Sequence, residues 1–278
     1  HVDFRIVVVD NSDTQDEFNK LIRFANQQCY TSLSFNAEQS IAYENEKLVL
    51  IKSNVNKGFA HGNNIGIRFS MQQPNCKFLW ILNNDTVVLS DSLANLVVQH
   101  QKNSKVLLGS KLVYYYDRNT LQAVGGRFNE TFYIPEHVGE GLPVATLKST
   151  LPKIHYPLGA AMFLDRNFIV EVGFLNEDYF LYYEELDWVY RAKSFGYIVD
   201  WCDASVVYHK EGASIGSSYS NKKSDFSEEH LFKSRQLFIK AHFGLNSKFY
   251  LTTLLLIANR FRKGKFKLAK KLIKNTYN

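Results

Sequence analysis

Three polar clusters, each closing an apolar run, carry side chains suited to chemistry. They are Asp10-Asn11-Ser12 after "FRIVVV", Ser53-Asn54-Val55-Asn56 after "KLVLIK", and Asn83-Asn84-Asp85 after "FLWIL". Carboxylate and amide oxygens of this kind ligate hard cations or accept from hydroxyl groups. Singly, such residues are turn formers and helix caps. Three in succession at one edge form a polar rim, and open parallel sheets bind ligands beyond the carboxyl ends of their strands. A second acidic group, Glu184, Glu185 and Asp187 in "YYEELDW", opens a helix. The helix dipole favours negative charge there, and one of the three is placed to act as a general base. The flanking Tyr182, Tyr183 and Trp188 read either as a stacking surface for sugar rings or as core. His209 closes the run "ASVVY". A histidine there is structural unless Asp85 lies close, when carboxylate and imidazole together suit Mn²⁺ or Mg²⁺.

Regular elements must position these groups. "FRIVVVD", "KLVLIKS" and "FLWIL" read as buried strands, and helical periodicity follows each in "DTQDEFNKLIRFANQQ", "GFAHGNNIGIRFSMQQ" and "SDSLANLVVQHQ". Strand alternating with helix predicts an α/β fold with a mostly parallel central sheet flanked by helices. Beyond Val106 the strands shorten, with "KVLLGSKLVYYY", "LQAVGGRFN", "YIVDWC" and "ASVVYH" as candidates and residues 129–153 as a loop excursion.

The 278 residues carry a net charge of +6, yet nine Lys/Arg and no acid fall within residues 246–278, leaving the body at −3. The tail, with apolar residues from Phe261 onward at helical spacing, reads as a basic amphipathic helix. It either packs on the body with a solvated face or attaches to an anionic membrane surface. No nucleic-acid motif accompanies the charge, so nucleic acid is not expected as a partner. Three dispersed cysteines predict reduced thiols and a cytoplasmic setting, extending to the inner face of the plasma membrane if the tail attaches.

The ordered motifs "IVVVDNSD", "NKGFAHGNNIG", "FLWILNNDT", "GAAMFLDR", "GFLNEDYFLYYEELDWVYRAKSFGY" and "VVYHKEGAS" resemble the family-2 glycosyltransferases, in particular the bacterial rhamnosyltransferase-like branch, over about residues 4 to 245. The resemblance implies a GT-A fold over 1–245 with a basic helical extension over 246–278. It implies that Asp10 and Asn11 hold the nucleoside of a dTDP- or UDP-sugar donor, and that Asn56, Gly58 and Asn63 pack along nucleoside and diphosphate, with Gly58 and Gly62 letting the backbone approach the ligand. Asn83-Asn84-Asp85 takes the place of the family's DxD motif. Asp85 and His209 would then hold the divalent cation, Asn84 would lie at the diphosphate, and Arg235 near the leaving group. Glu185 matches the catalytic base, with Glu184 and Asp187 as rivals. The implied reaction is inverting hexosyl transfer to a glycan or lipid-linked acceptor in bacterial surface polysaccharide synthesis.

The chain departs from the family in three places. Asn83 replaces the first acid of the metal motif, and Glu185 stands where Asp is usual. The family's first strand and helix, of the type "VSIVIVTYN", are not found ahead of "FRIVVVDNSD", so the chain is read as a fragment. These departures keep open an alternative, a catalytically inactive sugar-nucleotide-binding protein.

Overall fold

β-branched runs bounded by Asn, Asp and Gly settle into strands because branched side chains pack well on a pleated surface. The computed structural model describes residues 2–28, 30, 32–37, 46–146, 151–210 and 224–277. The chain begins with β1 (Ile6–Asp10), α1 (Gln15–Gln27), β2 (Ser32–Asn36), β3 (Leu48–Lys52) and α2 (Phe59–Gln72). It continues through β4 (Phe78–Leu82), β5 (Thr86–Val88), α3 (Ser92–His100), β6 (Val106–Tyr114), β7 (Leu121–Ala123), β8 (Gly125–Asn129) and β9 (Ile134–Val138). Then come β10 (Ala161–Asp165), α4 (Arg166–Val172), α5 (Glu184–Lys193) and β11 (Ile198–His209). Three helices close the chain: α6 (Asp225–His242), α7 (Ser247–Arg262) and α8 (Phe266–Tyr277).

The expected α/β class is what forms, with helices flanking the sheets, but strand pairing is mixed rather than mostly parallel. One sheet has the order β1-β3-β2 and is wholly parallel. The other has the order β4-β10-β6-β11-β5, with β7 beside β6. In it β6 and β11 are parallel, whereas β10 runs antiparallel to both β4 and β6, and β5 antiparallel to β11. Among the described residues β1 pairs only with β3, and β4 only with β10, while α2 touches both β1 and β4.

The two expected strands at 198–209 are one strand, β11, with a register shift between Cys202 and Val206. The stretch expected as a loop excursion contains β9, which forms an antiparallel hairpin with β8. Its residues 147–150, like Cys29 and the end of the "VVYHKEGAS" motif, lie outside the described residues; Cys76 and Cys202 are free thiols.

The main core gathers Met162, Leu164, Phe168, Tyr179, Tyr183, Trp188 and Phe238 between the second sheet and helices α4 to α6. Each such side chain contributes roughly 1.5–3 kcal/mol by leaving water. Tyr183 and Trp188 are therefore core, and their polar atoms bond the Tyr133 and Gly173 carbonyls. The tail joins the body: Phe249 of α7 lies in this main core, and Leu268, Ala269 and Leu272 of α8 pack with Phe232 of α6 and Ile257 of α7. The amphipathic helix expected to begin at Phe261 thus starts at Phe266, after a turn in which Gly264 has φ +73°, and its apolar face is buried against protein. No helix among the described residues is long and apolar enough to cross a membrane.

Candidate active site

At the carboxyl end of β4 the chain turns through Asn83-Asn84-Asp85. The Asn83 N–H donates to the Ala160 carbonyl (3.1 Å), and its carbonyl accepts from the Thr86 hydroxyl (2.7 Å). Asn84 is exposed on the turn. Asp85 points to the end of β11, where its Oδ1 lies 3.1 Å from His209 Nε2. The other ring nitrogen, Nδ1, lies 2.9 Å from Oε1 of buried Gln122 in β7. An amide oxygen only accepts, so Nδ1 donates to it and Nε2 faces the carboxylate. A histidine oriented in this way by an outer partner is the usual arrangement of a metal-ligating imidazole. The carboxylate and imidazole are thus of the chemistry that binds a divalent cation. No group of three or more His, Cys, Asp or Glu suited to a metal occurs among the described residues.

The acid cluster lies across Gly159–Ala160. Tyr182 and Tyr183 both have φ +70°, a left-handed conformation that costs about 1–3 kcal/mol in a non-glycine residue and gathers at functional sites. These two residues set the start of α5. The Glu185 carboxylate accepts the N–H groups of Gly159 and of Glu185 itself, while its Oε2 is buried without a hydrogen-bond partner. Burial raises the Glu185 carboxyl to about 7 against those bonds. Neighbouring Glu184 is pushed up further, by burial first and then by the charge of Glu185, and its Oε2 is likewise unpartnered. Two adjacent carboxyl groups in one buried place titrate as a pair. Burial thus holds both carboxyl groups above their ordinary range, with Glu184 raised further by the charge of Glu185. Gly159 also receives the Phe59 ring, which a Cβ there would meet at 3.2 Å. Metal turn, acid helix and the start of α2 thus converge on Gly159–Ala160.

Asp187 does not belong to this centre. It is buried and accepts from Arg191 Nε (2.9 Å) and His242 Nε2 (2.8 Å), tying α5 to α6. Burial works to raise its pKa, but bonds from His242 and Arg191 outweigh burial and hold the carboxyl below its ordinary value. Such a carboxylate is a poor base.

Arg235, expected near the diphosphate, is 2% exposed. Its guanidinium bonds the Tyr133 and Phe132 carbonyls and the hydroxyls of Thr252 and Thr253, at 2.6–3.2 Å. Four of its five N–H donors are thus used within the protein, which turns the guanidinium away from a role at a phosphate.

The nucleoside-side residues form a tight network. Asn11 Nδ2 donates to Asn56 Oδ1 (3.1 Å) and to the Gly58 carbonyl (3.0 Å), and the Gly58 N–H returns to Asn56 Oδ1 (3.1 Å). Asn11 Oδ1 remains buried and unpartnered. Asp10 is buried, accepts the Ser12 N–H and pairs with Lys52 Nζ at 3.2 Å, so it anchors the ends of β1 and β3. Asn63 caps back onto the Phe59 carbonyl of its own helix. Gly58, with φ +94°, was expected to let a ligand approach. A Cβ there would instead fall 2.1 Å from the Phe180 carbonyl oxygen, and one at Gly62 3.2 Å from Asn11. Gly58 is thus required by protein packed on protein, and Gly62 is in close contact with the Asn11 side chain.

Sequence reasoning missed Gln122, which has no motif around it, and Glu177. The latter bonds His61, Asn64 and Arg68 of α2, and although burial opposes it these bonds lower its carboxyl to about 2. A cavity of about 390 Å³ is lined by Phe35, Ile51, Lys57, His61 and Arg68, and neither Asp85 nor Glu185 lines it.

No protein-family model matches the chain. Over 214 residues it is 21% identical to the low-salt glycan biosynthesis hexosyltransferase of Haloferax volcanii, covering 75% of this chain and 67% of that relative. Its fold matches the crystal structure of GalNAc-T7 with UDP, GalNAc and Mn²⁺ at a TM-score of 0.56 and 14% identity. The match covers 85% of this chain, which spans 44% of that structure. A mannosyltransferase from Pyrobaculum calidifontis, solved with GDP-Man and Mn²⁺, aligns at a TM-score of 0.48 and 13% identity, over 97% of this chain and 75% of its own. The chain has the α/β GT-A fold, and the similarity supports a GT-A-like glycosyltransferase.

Proposed function

We propose that this chain is a metal-dependent, inverting glycosyltransferase of the family-2 type, moving a hexosyl group from a dTDP- or UDP-sugar to a glycan or lipid-linked acceptor. The observation that carries the reading is that the turn holding Asp85 against His209 bonds Ala160 through the Asn83 N–H, while Glu185 accepts the N–H of adjacent Gly159. The UDP and Mn²⁺ of the GalNAc-T7 structure and the hexosyltransferase relative support it.

Asp85 and His209 would hold Mn²⁺ or Mg²⁺, which when bound offsets charge on a leaving nucleoside diphosphate. Asn84, exposed beside Asp85, lies on the diphosphate side, and the Asn11–Asn56 rim on the nucleoside side. Glu185 takes the proton from the acceptor hydroxyl as its oxygen attacks the anomeric carbon from the face opposite the leaving group. Burial raises the carboxyl groups of both Glu184 and Glu185, so the pair binds a proton more readily than exposed glutamates do. Surface polysaccharide synthesis in the bacterial cytoplasm, on the rhamnosyl branch, is the setting the motifs favour.

Incubation of the protein with a panel of dTDP- and UDP-sugars, Mn²⁺ and glycan or lipid-linked acceptors, followed by mass and anomeric analysis of the product, tests this reading. Inverted product from wild type and none from Glu185→Gln is the expected result. Metal-dependent nucleotide binding without turnover on any pair would favour the inactive binding protein.

A further inference from the structure

The buried face of α8 leaves the exposed apolar surface of the tail on α7. Leu251, Leu254 and Leu255 are 60%, 54% and 53% exposed, while Phe249, Thr252, Thr253 and Ile257 are buried on the opposite side. With Ala258, also exposed, the three leucines fall at helical spacing on one face, and Lys248 and Arg262 stand at its two ends. The next helix exposes Phe266 and Ile273 among Lys267, Lys270 and Lys274.

Seven of the nine cations of the tail divide into two sets. Arg260 and Lys265 pair with Glu228, and Lys271 with Glu229, all on α6. Lys263, Lys267, Lys270 and Lys274 meet no carboxylate within ion-pair distance among the described residues. An apolar stripe bordered by uncompensated positive charge is what an anionic lipid surface complements.

We propose that the outer face of α7, with the lysines of α8, docks on the surface of an anionic phospholipid bilayer. Charge selects this occupant over a second copy of the chain. Two copies of this face, each carrying Lys263, Lys267, Lys270 and Lys274 without a paired carboxylate among the described residues, would repel one another. The helix lies in the plane of the interface, since its 16 residues are too short and too polar to span. Docking is independent of the transferase reading and needs no turnover to observe. It also bears on the acid cluster. Thr252 and Thr253 of α7 hold Arg235, Arg235 holds the Tyr133 carbonyl, and that carbonyl also takes the Tyr183 hydroxyl next to Glu184. A docked α7 thus stands three contacts from Tyr183, two residues before the proposed base.

The test is co-sedimentation of the full chain with vesicles of phosphatidylglycerol and, separately, of phosphatidylcholine. The expected result is binding to phosphatidylglycerol that weakens with salt, with little binding to phosphatidylcholine. L251S/L254S/L255S should lower it at least about tenfold, and K267Q/K270Q/K274Q about fivefold for each charge removed. A Leu254→Trp variant keeps the stripe intact, and its emission should shift to the blue on phosphatidylglycerol vesicles. Absence of binding by wild type, an unshifted Trp emission, or a wild-type dimer that the leucine triple variant converts to monomer would overturn the proposal.

Discussion

Asp85 Oδ1 and His209 Nε2 stand 3.1 Å apart although 124 residues separate them in the chain. The contact is made across the β5–β11 pair, where His209 is in register with Thr86, the residue after Asp85. Antiparallel pairing brings a turn carboxylate and a strand-end imidazole to one point, and Gln122 fixes the ring.

Removing Asp85 should therefore abolish metal-dependent nucleotide binding. Calorimetric titration of UDP or dTDP with Mn²⁺ is expected to give a clear isotherm for wild type. Chelation, or Asp85→Ala, should remove it. Gln122→Ala should weaken Mn²⁺ affinity by about 10–100-fold, the usual effect of losing an outer partner.

The acid pair predicts a pH profile. Glu185 must be ionised to accept a proton, and burial has raised its carboxyl to about 7. Turnover should rise with pH through about 7, where an unperturbed glutamate would have completed its titration below 6. Glu185→Gln should lower kcat by about 10²–10⁴-fold with its melting temperature retained.

Glu177 gives a second pH effect, on stability. Its folded-state pKa is lowered from 4.5 to about 2 by His61, Asn64 and Arg68. A depressed carboxylate contributes stability that is fully present above the unfolded value and lost as pH falls through the folded one. The difference in unfolding free energy between wild type and Glu177→Gln should be constant above about pH 5 and shrink between pH 4.5 and 2. Urea melts across that range measure it. A difference that stays flat to pH 2 would contradict the assigned network.

Arg235 makes a structural prediction where its sequence context suggested a chemical one. Arg235→Ala leaves the Phe132 carbonyl and two threonine hydroxyls without their donor and the Tyr133 carbonyl with only the Tyr183 hydroxyl, costing about 2–4 kcal/mol in urea unfolding. Nucleotide affinity at the Asp85 site should remain within about twofold of wild type, because the guanidinium faces α7 and the 132–133 turn. A large loss of affinity in a stably folded variant would return Arg235 to the diphosphate.

The sequence by itself determined the strands that end in polar clusters, the helix that opens with three acids, and the pairing of Asp85 with His209 as something worth seeking. The first two are local properties: apolar period, turn residues and helix-start chemistry are written within a few neighbours of each position, whereas the third drew on a resemblance of ordered motifs. What only the tertiary structure decided is which polar groups protein partners already occupy. Asp187 is taken by His242, 55 residues on, and Arg235 by the Tyr133 carbonyl, 102 residues back. Gly58 owes its conformation to the Phe180 carbonyl, and the apolar face of α8 to Phe232 and Ile257. A carboxylate or a guanidinium has the same formula whether it is free or engaged. The difference is made by groups distant in the chain, and only folding brings them within 3 Å.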